Sequence, residues 1–234
     1  MVDFQSYKSS SKGNLYTVSD GKTRLMLECG LSWQDTIAAL NFKTSSIHSI
    51  LCSHSHADHS RGAVGAIKAG IDFWASEETI SHLGLTGHRV HVLRPLEQVK
   101  LGTWRVMPFD TPHDIDGNLG FLLANEVGER CLFAIDTPYL KYRFNNLHTI
   151  AIGCNFSEDI LRENTKKGVV ARAMRTRLLS SHMALETLCD LMRANNLSTV
   201  EEIYLLHLSD NNSDADLFKR RVQETTGKPV YVGG

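Results

Sequence analysis

Short apolar runs, each bounded by turn residues, recur along this chain, and several of them end on a side chain able to bind a metal. Ile50-Leu51-Cys52, Trp104-Arg105-Val106-Met107, Cys131-Leu132-Phe133-Ala134-Ile135 and Ile203-Tyr204-Leu205-Leu206 have the length of strands. Residues 15–18 and 23–28 flank Asp20-Gly21, a hairpin turn signal. Ser32, with Asp35 three residues on, caps a helix reaching Leu40. Residues 63–69 predict a short helix, 72–75 a strand and 76–83 another helix. The stretch 89–135 reads as short strands punctuated by Gly102, Asp116-Gly117 and Gly128. From Phe156 onward helical spacing dominates, broken by the strand before His207. Ser213 with Asp216 predicts a capping box for the last helix, Gly227 its end, and residues 230–232 a closing strand. The layout is that of an α/β sandwich with helices outside, formed by one domain over residues 1–234. The segment between Asp136 and His207 must hold a strand and several helices, which leaves no room for an inserted domain.

Chemistry concentrates at the ends of these runs. Residues 53 to 59 read Ser53-His54-Ser55-His56-Ala57-Asp58-His59. Extended backbone aims His54 and His56 to the same side, because strand side chains alternate with period two. Asp58 and His59 lie beyond, in a loop, free to address a second centre. Imidazoles with a carboxylate suit zinc, manganese or iron. His113 follows a later apolar run in Thr111-Pro112-His113-Asp114, and Asp136 and His207 each close one. The seven residues are too many for one tetrahedral ion and divide into two sites. His54, His56 and His113 hold one divalent ion, Asp58, His59 and His207 the other, and Asp136 bridges them. Zinc and manganese both remain open as the pair of cofactor ions. Two ions about 3.5–4 Å apart suit phosphodiesters, because charge develops on both the attacking and the leaving oxygens. Asp58 is read either as a ligand alone or as a ligand that also takes the proton from the attacking water.

These motifs, in this order, resemble the metallo-β-lactamase superfamily over nearly the whole chain. Within it the chain looks most like the YycJ-like (WalJ-like) branch, whose members are described as DNA exonucleases. The likeness rests on Ser9-Ser10-Ser11-Lys12-Gly13-Asn14, on His113-Asp114 followed by Gly120-Phe121, and on His207-Leu208-Ser209-Asp210-Asn211-Asn212. The resemblance implies a four-layer αββα sandwich, a dinuclear centre and hydrolysis of DNA from an end, 5′ to 3′. It also assigns a histidine in the region of His182 to the scissile phosphate or the leaving oxygen. With Ser181 as N-cap, His182 would sit in a first helical turn, where free N–H groups favour phosphate. Gly153 stands where the branch has a carboxylate, so His182 must be held some other way. Asn155 is a candidate phosphate or ligand contact, and Glu28, where relatives often have Asp, a candidate acceptor behind the ligands. Cys154 reads as a small core residue rather than a ligand.

Composition narrows the setting. The chain has 234 residues, a formal net charge of -1, 11 histidines and five cysteines. No global basic field advertises nucleic acid. Arg162, Lys166, Lys167, Arg172, Arg175 and Arg177 precede His182, and Arg175 and Arg177 are the candidate contacts to a DNA backbone; the alternative is a solvated helix face. The scattered, odd-numbered cysteines read as reduced thiols in a cytoplasmic compartment. No apolar run has the length of a membrane span, and the start lacks the pattern of a signal peptide. Against DNA hydrolysis stand two other readings: hydrolysis of a small cyclic phosphate or other ester, and a metal-binding module without catalysis.

Overall fold

The computed structural model describes residues 2–234. In chain order the elements are β1 (Asp3–Ser10), β2 (Gly13–Ser19), β3 (Arg24–Leu27), α1 (Trp33–Ala39), β4 (Ile47–Leu51), α2 (Ala57–Ser60), α3 (Ala63–Lys68), β5 (Asp72–Ala75), α4 (Glu77–His82), β6 (Val90–Val92) and β7 (Val99–Leu101). They continue with β8 (Trp104–Asp110), β9 (Leu119–Ala124), β10 (Arg130–Ala134), β11 (Thr149–Gly153), α5 (Glu158–Lys166), α6 (Arg172–Ser181), α7 (Leu185–Ala194), β12 (Glu202–Leu206), α8 (Ala215–Thr226) and β13 (Val230–Val232). The strands form two sheets, ordered β1-β2-β3-β4-β5-β6 and β13-β12-β11-β10-β9-β8-β7.

Alternation along each strand builds the layers. On β10, Cys131 and Phe133 join a core that also holds Tyr16, Val18, Leu25 and Leu27 of the first sheet. Leu132 and Ala134 face the other way, into a core shared with Leu188 and Met192 of α7 and Phe218 and Val222 of α8. On the first sheet Met26, Ile50 and Phe73 turn outward against Ala63 and Ala66 of α3. Helix, sheet, sheet and helix follow one another, which is the αββα sandwich. About 25 cal/mol per Å² of buried apolar surface stabilises each of these contacts.

Ser32 caps α1 as its spacing predicts, accepting from the Asp35 N–H. The last helix differs by one residue. Asp214, not Ser213, is its N-cap and accepts from the Leu217 N–H, while the Ser213 hydroxyl donates to the Ser209 carbonyl at 2.6 Å. Asp and Ser cap about equally well, so sequence alone does not choose between neighbours. Asp58 and His59 do not lie in a loop but on the one-turn helix α2, closed by His59 and Ser60 N–H bonds to the His56 carbonyl.

One edge of the sandwich collects the strand ends that matter. β10, β11 and β12 are parallel neighbours. β8 is antiparallel to β9, and β9 to β10, so β8 ends on the same side. The chain leaves these strands toward His113, Asp136, Asn155 and His207, while β4 of the other sheet leads to His54. Ligands at the carboxyl ends of strands are carried on a rigid frame.

Candidate metal centre and cleft

Six candidate ligand side chains converge on Asp136. Its Oδ2 lies 3.1 Å from His59 Nε2, 3.8 Å from His54 Nε2, 3.9 Å from His113 Nε2 and 3.8 Å from His207 Nε2. Asp58 Oδ2 reaches the cluster through His207 Nε2 at 3.1 Å and His59 Nε2 at 3.4 Å. His56 meets it through Nδ1, 2.9 Å from His54 Nε2 and 3.3 Å from His113 Nε2. The donors sort into His54, His56 and His113, and into Asp58, His59, Asp136 and His207, each set within 4.8 Å. Asp136 Oδ2 lies between the two sets.

The donor set fits divalent ions. Asp136 Oδ1 is buried without a hydrogen-bond partner. Three imidazole nitrogens of the first set face one another across gaps that their own protons cannot satisfy all at once. A cation at each set answers both facts.

A ring of polar residues fixes these candidate ligands, and little in the sequence marks it. The His207 N–H donates to Ser9 Oγ at 2.8 Å, Ser9 Oγ lies 2.7 Å from the Tyr16 hydroxyl, and that hydroxyl donates to Asn14 Oδ1 at 2.9 Å. Asn14 Nδ2 in turn donates to the Asp58 carbonyl at 3.1 Å. Ser53 Oγ lies 2.8 Å from His54 Nδ1, and Glu28 Oε2 lies 3.4 Å from His59 Nδ1. Asn118 Nδ2 donates to the Asp136 carbonyl at 2.7 Å. Asp114, adjacent to a ligand, places Oδ1 3.6 Å from His56 Nε2 and Oδ2 2.5 Å from Arg177 Nε. Such partners set ring orientation and tautomer. Gly30 lets its loop lie against α2, because a Cβ there would collide with the Asp58 carbonyl. Glu28 (φ 64°) and His207 (φ 54°) both occupy the left-handed region, uncommon for such residues and typical of functional sites.

The charges are strongly coupled. Burial opposes ionisation of Asp136, but His207, His59 and His182 outweigh it and hold its carboxyl well below the usual range. Burial likewise opposes Asp58, and hydrogen bonds from His207 and His59 hold it low. Burial would neutralise His59 and His207, yet the Asp136 carboxylate lifts both above the ordinary histidine value. Burial depresses His54, and His59 depresses it further; His56 is lowered mainly by burial.

An open cleft of about 440 Å³ exposes this centre. Its walls include Ser11, Asp58, Met174, Arg177, His182, Leu208 and Asp210. His182 lies within reach of the centre, with Nε2 3.8 Å from Asp136 Oδ2, and burial pushes it down to about 4. It does not open a helix. α6 runs up to Ser181, His182 is its C-cap in extended conformation, and α7 begins at Leu185 behind Ala184. The expected helix N-terminus for phosphate is therefore absent at His182; the carbonyl end of α6 points there instead. Arg177 lines the cleft, whereas Arg175 is half-buried on the same helix and does not. Arg162 and Lys166 pair with Asp159 and Glu163 on α5 as a solvated helix face. Asn155 turns to His207, with Nδ2 2.8 Å from its carbonyl and 3.2 Å from its Nδ1. A Cβ on Gly153 would stand 3.3 Å from Ile135 backbone atoms, so a side chain there would press on the strand leading to Asp136. Cys154 is a buried core residue, and all five cysteines are free.

Comparisons with known proteins bear on the fold and on the class of activity. The chain is 26% identical over 226 residues to the exodeoxyribonuclease WalJ of Streptococcus pneumoniae serotype 2 strain D39, covering 89% of this chain and 82% of that protein. It is 25% identical over 234 residues to the exodeoxyribonuclease YycJ of Bacillus anthracis, covering 95% and 88%. The metallo-β-lactamase fold protein YhfI from Bacillus subtilis superposes with a TM-score of 0.74 over 99% of this chain and 95% of that one, at 13% identity. The chain has the metallo-β-lactamase fold. A family model described as Anti-Pycsar protein Apyc1 matches residues 6–69, the part that runs from within β1 to the end of α3 and carries the histidine-rich turn. No helix among the described residues is long and apolar enough to cross a membrane.

Proposed function

We propose that the protein is a metal-dependent hydrolase of phosphodiester bonds that degrades DNA from an end, 5′ to 3′. The observation that carries this reading is the convergence of two donor sets on Asp136 Oδ2 at the floor of an open cleft. His54, His56 and His113 would hold one ion, Asp58, His59 and His207 the other, and Asp136 both. Two divalent ions there supply water activation near neutral pH and neutralise charge on phosphate oxygens. The chain's own side chains do the rest. Asp58 stays ionised, and its carboxylate is placed to accept a proton as well as to bind. His182 turns Nε2 toward the reacting region, where it meets the phosphate or the leaving oxygen. Arg177 brings a permanent positive charge to the wall, tethered by Asp114. Likeness to the two exodeoxyribonucleases over about nine-tenths of the chain favours DNA as the substrate.

The cleft also favours a second reading, a small cyclic phosphate. Among the described residues lining it, Arg177 is the one lysine or arginine, so the walls grip one or two phosphates rather than a long backbone. Linear and covalently closed DNA of the same sequence, a cyclic nucleotide and bis-nitrophenyl phosphate, each offered with manganese or zinc, separate these readings. Loss of linear DNA with closed circles intact supports the exonuclease. Hydrolysis of the cyclic nucleotide with every polynucleotide untouched overturns it in favour of the second.

A further inference from the structure

We propose that Ser181 is a positioning residue of this cleft, presenting His182 to substrate and His113 to the metal centre, each through Nε2. The inference rests on the hydrolytic reading above, but its geometry stands on three hydrogen bonds. Ser181 is fully buried at the end of α6. Its hydroxyl donates to the Arg177 carbonyl at 2.7 Å, one turn back along the helix. A serine hydroxyl has a single hydrogen, and a carbonyl can only accept, so that hydrogen is committed. The His182 Nδ1, 2.8 Å from the same oxygen, must therefore be the donor. Nδ1 carries a hydrogen, and Nε2 is the nitrogen left facing the cleft, 3.8 Å from Asp136 Oδ2.

The backbone of the same residue orients a second ring. His113 Nδ1 lies 2.9 Å from the Ser181 carbonyl, which again can only accept. His113 thus carries its hydrogen on Nδ1 and offers Nε2, 3.3 Å from His56 Nδ1, to the first donor set. One residue settles which nitrogen each of two histidines turns to the chemistry. A hydroxyl at position 181 is needed for only one of these roles, since any residue supplies the carbonyl.

That asymmetry makes the test. In zinc-loaded protein, long-range proton–nitrogen correlation spectra distinguish the tautomers of histidine rings, with His182→Gln identifying the His182 signals. The wild type should show hydrogen on Nδ1 for both His182 and His113. Ser181→Ala should keep two zinc ions per chain and the His113 tautomer, release His182 to a mixture of tautomers, and lower kcat on linear DNA about 10-fold or more with little change in KM. Ser181→Thr, which restores a hydroxyl, should recover the His182 tautomer and most of kcat. Ser180→Ala should behave as wild type: Ser180 is exposed, and its hydroxyl reaches the Arg177 carbonyl at 3.0 Å without touching a histidine. A wild-type His182 carrying its hydrogen on Nε2 overturns the proposal, whether or not any variant folds. So does a Ser181→Ala enzyme with unchanged tautomer or kcat. If the wild type hydrolyses no phosphodiester, the tautomers still judge Ser181, and only the functional reading is lost.

Discussion

Removing the Asp136 carboxylate should dismantle both halves of the centre at once. Its Oδ2 is 3.1 Å from His59 of one set and 3.8 Å from His54 of the other, so it stands between them. Asp136→Ala should hold less than one ion per chain, where the wild type holds two. Asp58→Ala touches only the second set and should keep the ion on His54, His56 and His113. The effect on stability can be sized. A site filled at 100 times its Kd adds about 2.7 kcal/mol to folding. For chains of 150–250 residues, 1 kcal/mol moves Tm by about 2–4 °C. Two filled sites therefore correspond to about 10–20 °C, which chelation should remove from the wild type and which Asp136→Ala should never show. Metal analysis after gel filtration and thermal scans with and without chelator measure both quantities. An Asp136→Ala protein with two ions and the wild-type response to chelator would refute the bridging role.

Three further outcomes follow from the same geometry. His182→Ala should keep both ions and lower turnover by about 10²–10⁴-fold; turnover close to wild type would leave His182 without a role. Arg177→Gln should raise KM and reduce the slope of log affinity against log salt by roughly one, while Arg175→Gln, which does not line the cleft, should change neither; equal effects would contradict the assignment of Arg177 to the wall. The third concerns pH. In metal-free protein the raised values of His59 and His207 contribute stability that is fully present below about 6.5, and it is lost as pH rises through their folded values. Metal binding displaces those protons, so the Tm gap between loaded and chelated protein should widen from pH 6 to pH 8; a gap that narrows would contradict the coupling to Asp136.

The two donor clusters were legible in the sequence because four of their side chains are packed into His54 to His59 and the rest follow apolar runs that are recognisable as strands. The layers were legible for a similar reason, since alternation along β10 and helical spacing along α7 survive in the sequence. What surrounds the ligands was not. The bond from His207 to Ser9 spans 198 positions and that from Asn14 to Asp58 spans 44, and nothing local marks a serine or asparagine as the partner of a distant ligand. α6 was hidden differently. Its N-cap, Ala171, makes no side-chain hydrogen bond, and the helix buries little beyond Ser181, so neither cap nor apolar stripe announced it. With the helix unseen, Ser180-Ser181 read as a helix start, and His182 was placed at the wrong end of a dipole. Asp114 stands out in the sequence only as the neighbour of His113; its ties to His56 and Arg177 exist once α6 is laid over the cleft.

Titration of metal-stripped protein with zinc or manganese, followed by turnover of linear DNA, tests the central claim most directly. The account predicts no turnover in the stripped protein and a rise that levels off at about two ions per chain, with Asp136→Ala inactive throughout. Full turnover with chelator present and no metal bound would contradict it.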